Sequence, residues 1–152
     1  MTAWRPPQEI RLKAIGLHWR DGRLLAAEVL DDEGRVKGVR PLGGSVEFGE
    51  TLETAVIREF DEELGIHVTP SGSPFFFENH YLHEGARGHE IIAVFDVSLS
   101  EGAFEGRDSI EFREAHGSAC IARWFDLGDL DLDGGPELYP SGLKNHLLRK
   151  GS

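Results

Sequence analysis

Residues 41–66 read PLGGSVEFGETLETAVIREFDEELGI, and the second half of that stretch decides how the chain is built. From Thr51 to Leu64 there is no glycine or proline; Thr51 is of a type that caps helix N-termini, and Gly65 stands where a left-handed C-terminal residue belongs. The pattern predicts a helix of about four turns. At about 100° per residue, Leu52, Val56, Ile57, Phe60 and Leu64 share an apolar face. Glu59, Glu62 and Glu63 gather beside it at i, i+3, i+4 spacing. Carboxylates so crowded repel one another, and those bordering a buried face also lose hydration. A divalent cation relieves both penalties, and hard oxygen ligands suit magnesium, with manganese as a substitute. Acidic clusters on helices are often only solvated faces, so the context matters. Here the preceding Pro41-Leu42-Gly43-Gly44 loop carries paired glycines, which let the backbone approach a ligand closely.

Working outward, Arg11 to Trp19 and Arg23 to Leu30 are strand-like runs separated by Asp21-Gly22, a hairpin signal. A turn at 31–34 leads to a short strand around Val36 to Arg40. Beyond the helix, Ile66 to Thr69, Phe75 to Leu82, Glu90 to Leu99 and Ala122 to Phe125 read as further strands, and Ser141 to Lys150 as a closing helix. Residues 101–118 are polar and weakly periodic, which predicts a long loop. Sheet with few helices means α/β or α+β, in one domain over 1–152 with residues 1–8 as a flexible lead.

Gly44, five residues, Glu50, seven residues, then Arg58-Glu59-Phe60-Asp61-Glu62-Glu63-Leu64-Gly65-Ile66 matches G-x5-E-x7-R-E-U-x-E-E-x-G-U, with U apolar, at every fixed position. This segment, 44–66, resembles the Nudix box of the Nudix hydrolases. One departure is that Leu42 intervenes between Pro41 and the paired glycines, where many members have proline directly before them. The resemblance implies an α/β/α sandwich around a central mixed sheet, with the box forming loop, helix and loop. It also implies a metal-dependent hydrolase that cleaves a phosphoanhydride bond in a nucleoside diphosphate linked to another moiety. Carried over by position, Glu59, Glu62 and Glu63 resemble the metal ligands, joined by the Gly43 carbonyl. Arg58 resembles the arginine that orients them, and Glu50 a residue that assists through water or holds the loop. The chemistry is water attack on phosphorus, and one carboxylate accepts the proton. Glu63 in the box and Glu105, Glu111 and Glu114 downstream are all candidates, and spacing does not choose among them. Two other readings share the fold. A nucleotide or sugar-phosphate sensor would typically have lost box carboxylates, and an isoprenoid diphosphate isomerase would use cysteine chemistry that Cys120 alone supports little.

A net charge of -11 opposes binding to duplex nucleic acid but suits phosphorylated small molecules when cations intervene. The single cysteine excludes an intrachain disulfide framework. With no apolar run of signal-peptide or membrane-span length, a cytoplasmic location is expected. Homodimers are frequent in the resembled family.

For the substrate, Tyr81 lies 15 residues after Ile66, loosely like a tyrosine of dinucleoside polyphosphate hydrolases. Phe76, Phe77 and Trp124 can stack on a base but read first as core. Arg40, Arg87 or Arg107 can clamp a phosphate, and Glu111 is carried as a substrate contact. His80, His83 and His89 match no recognised zinc spacing.

Overall fold

The computed structural model describes residues 3–114 and 117–150. Its centre is explained by strand β3 (Arg23–Leu30), whose Leu24-Leu25-Ala26-Ala27 run is buried throughout. A strand with no polar alternation needs cover on both faces. Leu24 and Ala26 enter one apolar cluster, and Leu25 and Ala27 the other. The same division holds in β1 (Ile10–Leu17), where Ala14 and Ile15 point to opposite clusters, and in β7 (Ala86–Leu99), where Ile92 and Ala93 do.

The β layer comprises two sheets. One has the order β5-β1-β7-β6, using β5 (Leu42–Ser45) and β6 (Val68–His83). Its β1–β7 pair is parallel and the others antiparallel. The second has the order β10-β4-β3-β9-β8, with β2 (Trp19–Arg20) beside β3. It uses β4 (Val36–Arg40), β8 (Ser109–Arg113), β9 (Ala119–Phe125) and β10 (Glu137–Leu138). Helix α1 (Leu52–Leu64) covers one face, packing Val56 and Phe60 with Ala14, Ala93 and Phe95. Helix α2 (Leu143–Lys150) covers the other, packing Leu143 and Leu147 with Leu17 and Val94. The expected α/β/α layering is present, with its central β layer formed by two mixed sheets.

Four local expectations are corrected. Asp21-Gly22 joins only the two-residue β2 to β3, whereas all eight residues of β1 pair with β7 in the other sheet. The turn signal is local, and the longer tertiary ladder decides where β1 goes. The glycine-rich segment is not an open loop but strand β5, with Gly43 opposite Ile15. Gly43 has φ 146°, and a Cβ there would lie 2.2 Å from the Ala14 carbonyl oxygen, so only glycine permits that approach. The predicted loop 101–118 contains β8, whose Ile110 and Phe112 are buried at a period of two; positions 115 and 116 lie outside the described residues. The strands predicted on either side of residue 72 merge into β6, with a register shift between Ser71 and Phe75. Residues 1 and 2 of the lead lie outside the described residues, while Trp4 packs on His83 and Arg5 bonds Asp32. No helix among the described residues is long and apolar enough to cross a membrane.

Candidate active site

Helix α1 is anchored at both ends by the residues its sequence implied. The Thr51 hydroxyl accepts from the Thr54 N–H at 3.0 Å, and Gly65, at φ 68°, donates its N–H to the Asp61 carbonyl at 2.9 Å. Burial of Phe60 then fixes the rotation of the helix, directing Glu59 and Glu63 back over β5. A Cβ on Gly44 would sit 2.5 Å from the Glu59 carboxyl carbon, so that carboxylate occupies the space a side chain would take.

Arg58 organises the entrance. Its Nε and Nη2 donate to the two oxygens of Glu50 at 2.6 and 2.8 Å. Nη1 reaches Glu59 at 3.0 Å and Glu62 at 3.2 Å, and Nη2 also donates to the Ser45 carbonyl at 2.9 Å. One planar guanidinium thus ties the helix to the segment before it. Hydrogen bonding from Arg58, with the Glu47 N–H adding to it, holds the Glu50 carboxyl down at about 2. Glu50 also raises the proton affinity of Arg58.

Deeper in the cleft, burial pushes the Glu63 carboxyl well above the usual range; Arg40 opposes the shift and Glu59 adds to it. Glu63 Oε2 is buried without a hydrogen-bond partner. A buried carboxyl oxygen with no donor, flanked by Glu59 and Glu62 on glycine-lined backbone, is a ligand set that fits a divalent cation. Arg40 donates to Glu114 at 3.0 Å and is held inside the cleft.

The opposite wall comes from β1, β6 and β7. Glu90 is buried, 3.4 Å from the Lys13 ammonium and 3.4 Å from the Asn79 amide nitrogen. Burial lowers the proton affinity of Lys13, and Glu90 partly restores it. Tyr81 lies against Gly88, where a Cβ would be 2.2 Å from its ring, and burial followed by the Glu90 charge pushes its hydroxyl up to about 12. The cleft of about 1240 Å³ exceeds the usual range for small-ligand pockets and admits a nucleotide.

Gly43, Glu59, Glu62, Glu63, Arg58, Arg40, Tyr81, Arg87 and Glu114 all line this cleft. Glu50 stands behind it, bonded to Arg58. Glu111 does not join them: strand alternation in β8 turns it outward while Ile110 and Phe112 turn in. Glu105 and Arg107 lie in turns at the far end of the second sheet, where Arg20 bonds the Arg107 carbonyl. Phe77 and Trp124 pack into the cores and Phe76 is exposed on the outer side. Sequence reasoning missed Lys13 and Asn79. A lysine inside the run LKAIGL was the available signal for the first; nothing local marked the second.

The NUDIX domain family model matches residues 4–143. An RNA pyrophosphohydrolase of Sphingopyxis alaskensis is 30% identical over 128 residues, covering 74% of each chain. An ADP-ribose pyrophosphatase of Methanocaldococcus jannaschii is 33% identical over 98 residues, 58% of this chain and 46% of that one. Among solved structures, a MutT NUDIX hydrolase from Burkholderia pseudomallei superposes with a TM-score of 0.59 at 20% identity, covering 91% of this chain and 98% of that one. The E. coli ORF135 protein superposes at 0.61 and 19%, covering 95% and 92%. These two show the fold, while the family model and the curated relatives show the lineage. The chain belongs to the Nudix family.

Proposed function

We propose that this cleft hydrolyses a nucleoside diphosphate linked to a further group, with magnesium, or manganese in its place, held by Glu59, Glu62, Glu63 and the Gly43 carbonyl. The observation that carries the reading is the buried, partnerless Glu63 Oε2 beside two further carboxylates. When bound, the cation lowers the pKa of water and neutralises charge on the phosphate oxygens. The chain's own residues do the rest. Arg58 keeps the glutamates in one arrangement, so little reorganisation is needed during reaction. Arg40 presents a guanidinium toward the phosphates with Glu114 steadying it. Of the downstream candidates for accepting the water proton Glu114 lines the cleft, which supports Glu63 or Glu114 as the base. Asn79, Tyr81 and the Lys13–Glu90 pair offer donors and acceptors for the base or sugar of the substrate. A buried, free Cys120 suits work in the reducing cytoplasm.

The test is phosphate, pyrophosphate and mononucleotide release from ADP-ribose, nucleoside triphosphates, dinucleoside polyphosphates, nucleotide sugars and a 5′-triphosphorylated RNA oligomer, with magnesium or manganese. Wild type is compared with Glu62→Gln, Glu63→Gln and Glu114→Gln. Turnover that falls about 10²–10⁴-fold in one of the last two, with the magnesium dependence and KM little changed, identifies the base. Nucleotide binding with no turnover of any substrate would instead mark a sensor.

A further inference from the structure

The β6–β7 hairpin carries a second constellation that the box does not explain. Its register places His80 directly opposite His89, and Glu78 lies two residues before His80, on the same face of the strand. The two imidazoles stack with centroids 3.9 Å apart and planes 30° off parallel. Glu78 Oε2 stands 3.3 Å from His89 Nε2 and 4.0 Å from His80 Nε2, and one ligand atom from each residue lies within 4.8 Å of the others. Strand alternation sets this face opposite Asn79, Tyr81 and Glu90; His80 borders the cleft, while Glu78 and His89 stand outside its lining.

We propose that Glu78, His80 and His89 form a zinc site on the outer face of this hairpin. Bonds of about 2.0–2.1 Å in tetrahedral geometry separate ligand atoms by about 3.3 Å. The Glu78–His89 pair already has that spacing, and a small rotation of an exposed ring brings in His80. Two imidazoles and one carboxylate favour zinc over magnesium, which prefers all-oxygen surroundings. Glu78 and His80 are exposed, leaving a fourth position open to water. Only two residues, Glu84 and Gly85, turn the chain between β6 and β7, both at positive φ. Zinc bound here would cross-link the hairpin near its turn, stiffening the strands whose other face forms the cleft wall. Sequence spacing concealed the site because its ligands meet across strands, and because His83 belongs elsewhere, 2.8 Å from the Lys37 ammonium.

The test uses the full chain in excess magnesium, which occupies the box glutamates, titrated calorimetrically with zinc. Cobalt absorption and 15N imidazole spectra are recorded in parallel. The expected result is one equivalent of zinc, tetrahedral cobalt bands, and displaced ring-nitrogen signals of His80 and His89. His80→Ala and His89→Ala should each weaken zinc binding at least tenfold while leaving circular dichroism unchanged, and Glu78→Gln should weaken it less. No zinc uptake in excess magnesium, or uptake with the same affinity in both histidine variants, overturns the site. So does wild-type zinc binding that moves only other histidine signals, which makes the cluster an ordinary carboxylate–imidazole pairing. None of these readouts depends on hydrolysis, so failure here leaves the hydrolytic reading untouched.

Discussion

At the scale of single residues, Glu63 and Glu50 are opposites made from the same chemical group. Burial raises the proton affinity of Glu63 above that of the unfolded chain. The folded state therefore holds that proton more tightly, and metal-free protein loses stability as pH rises from the ordinary carboxylate range through the raised value. Urea unfolding in chelator between pH 5 and 9 should show this decline, and Glu63→Gln should flatten it. Glu50, held at about 2 by Arg58, works in the other direction. Its contribution is complete above about 4.5 and fades as pH falls toward 2, so Glu50→Gln should reduce the acid sensitivity of the fold. Arg58→Lys keeps the charge but cannot reach Glu50, Glu59, Glu62 and Ser45 together. It should destabilise by about 1–3 kcal/mol in urea unfolding and lower kcat more than it raises KM.

Within elements, β5 and α1 work as one device, because the strand must lie almost on β1 before the helix can set its carboxylates above it. Gly43→Ala would force a Cβ into the Ala14 carbonyl at a left-handed φ. A loss of about 2–3 kcal/mol is expected in thermal or urea unfolding, together with most of the activity. Gly44→Ala meets the movable Glu59 carboxylate instead of backbone. It should spare stability and raise the magnesium concentration needed for half-maximal activity, a contrast that steady-state assays across magnesium will reveal. Phe60 is fully buried against Gly16 and Val97, and Phe60→Ala should destabilise by about 3–5 kcal/mol. The same change releases the rotation of α1, so activity should fall even at temperatures where the variant remains folded.

For the whole molecule, charge is the governing quantity. A net charge of -11 with carboxylates converging on one cleft disfavours the compact state until cations enter. Because the unfolded chain lacks the assembled site, magnesium should raise Tm by mass action, continuing to rise with concentration above the Kd. Chelation should reverse the gain, and Glu62→Gln combined with Glu63→Gln should abolish most of it in scanning calorimetry. The two-sheet layer gives the cleft its depth. Its walls belong to different sheets, so Arg40 and Glu114 on one side face Lys13 and Tyr81 on the other.

What the sequence determined by itself was everything whose physics is local. The caps and periodicity of α1, the i, i+3, i+4 glutamates and the Arg58 that ties them lie within a few turns, so their spacing alone brings them together. The layered α/β arrangement was implied by the resemblance of the box, the residues by themselves leaving α/β and α+β open. Tertiary structure alone decided the rest. It sent β1 to β7 instead of to β3, because an eight-residue ladder outweighs a two-residue hairpin. It turned Glu111 to solvent and drew Glu114 to Arg40, because β8 is a strand whose register fixes which side chains face inward. It placed Lys13 against the distant Glu90, and His80 against His89 across a hairpin, pairs that strand register makes neighbours. Such encounters depend on register between segments, and no window along the sequence carries that information.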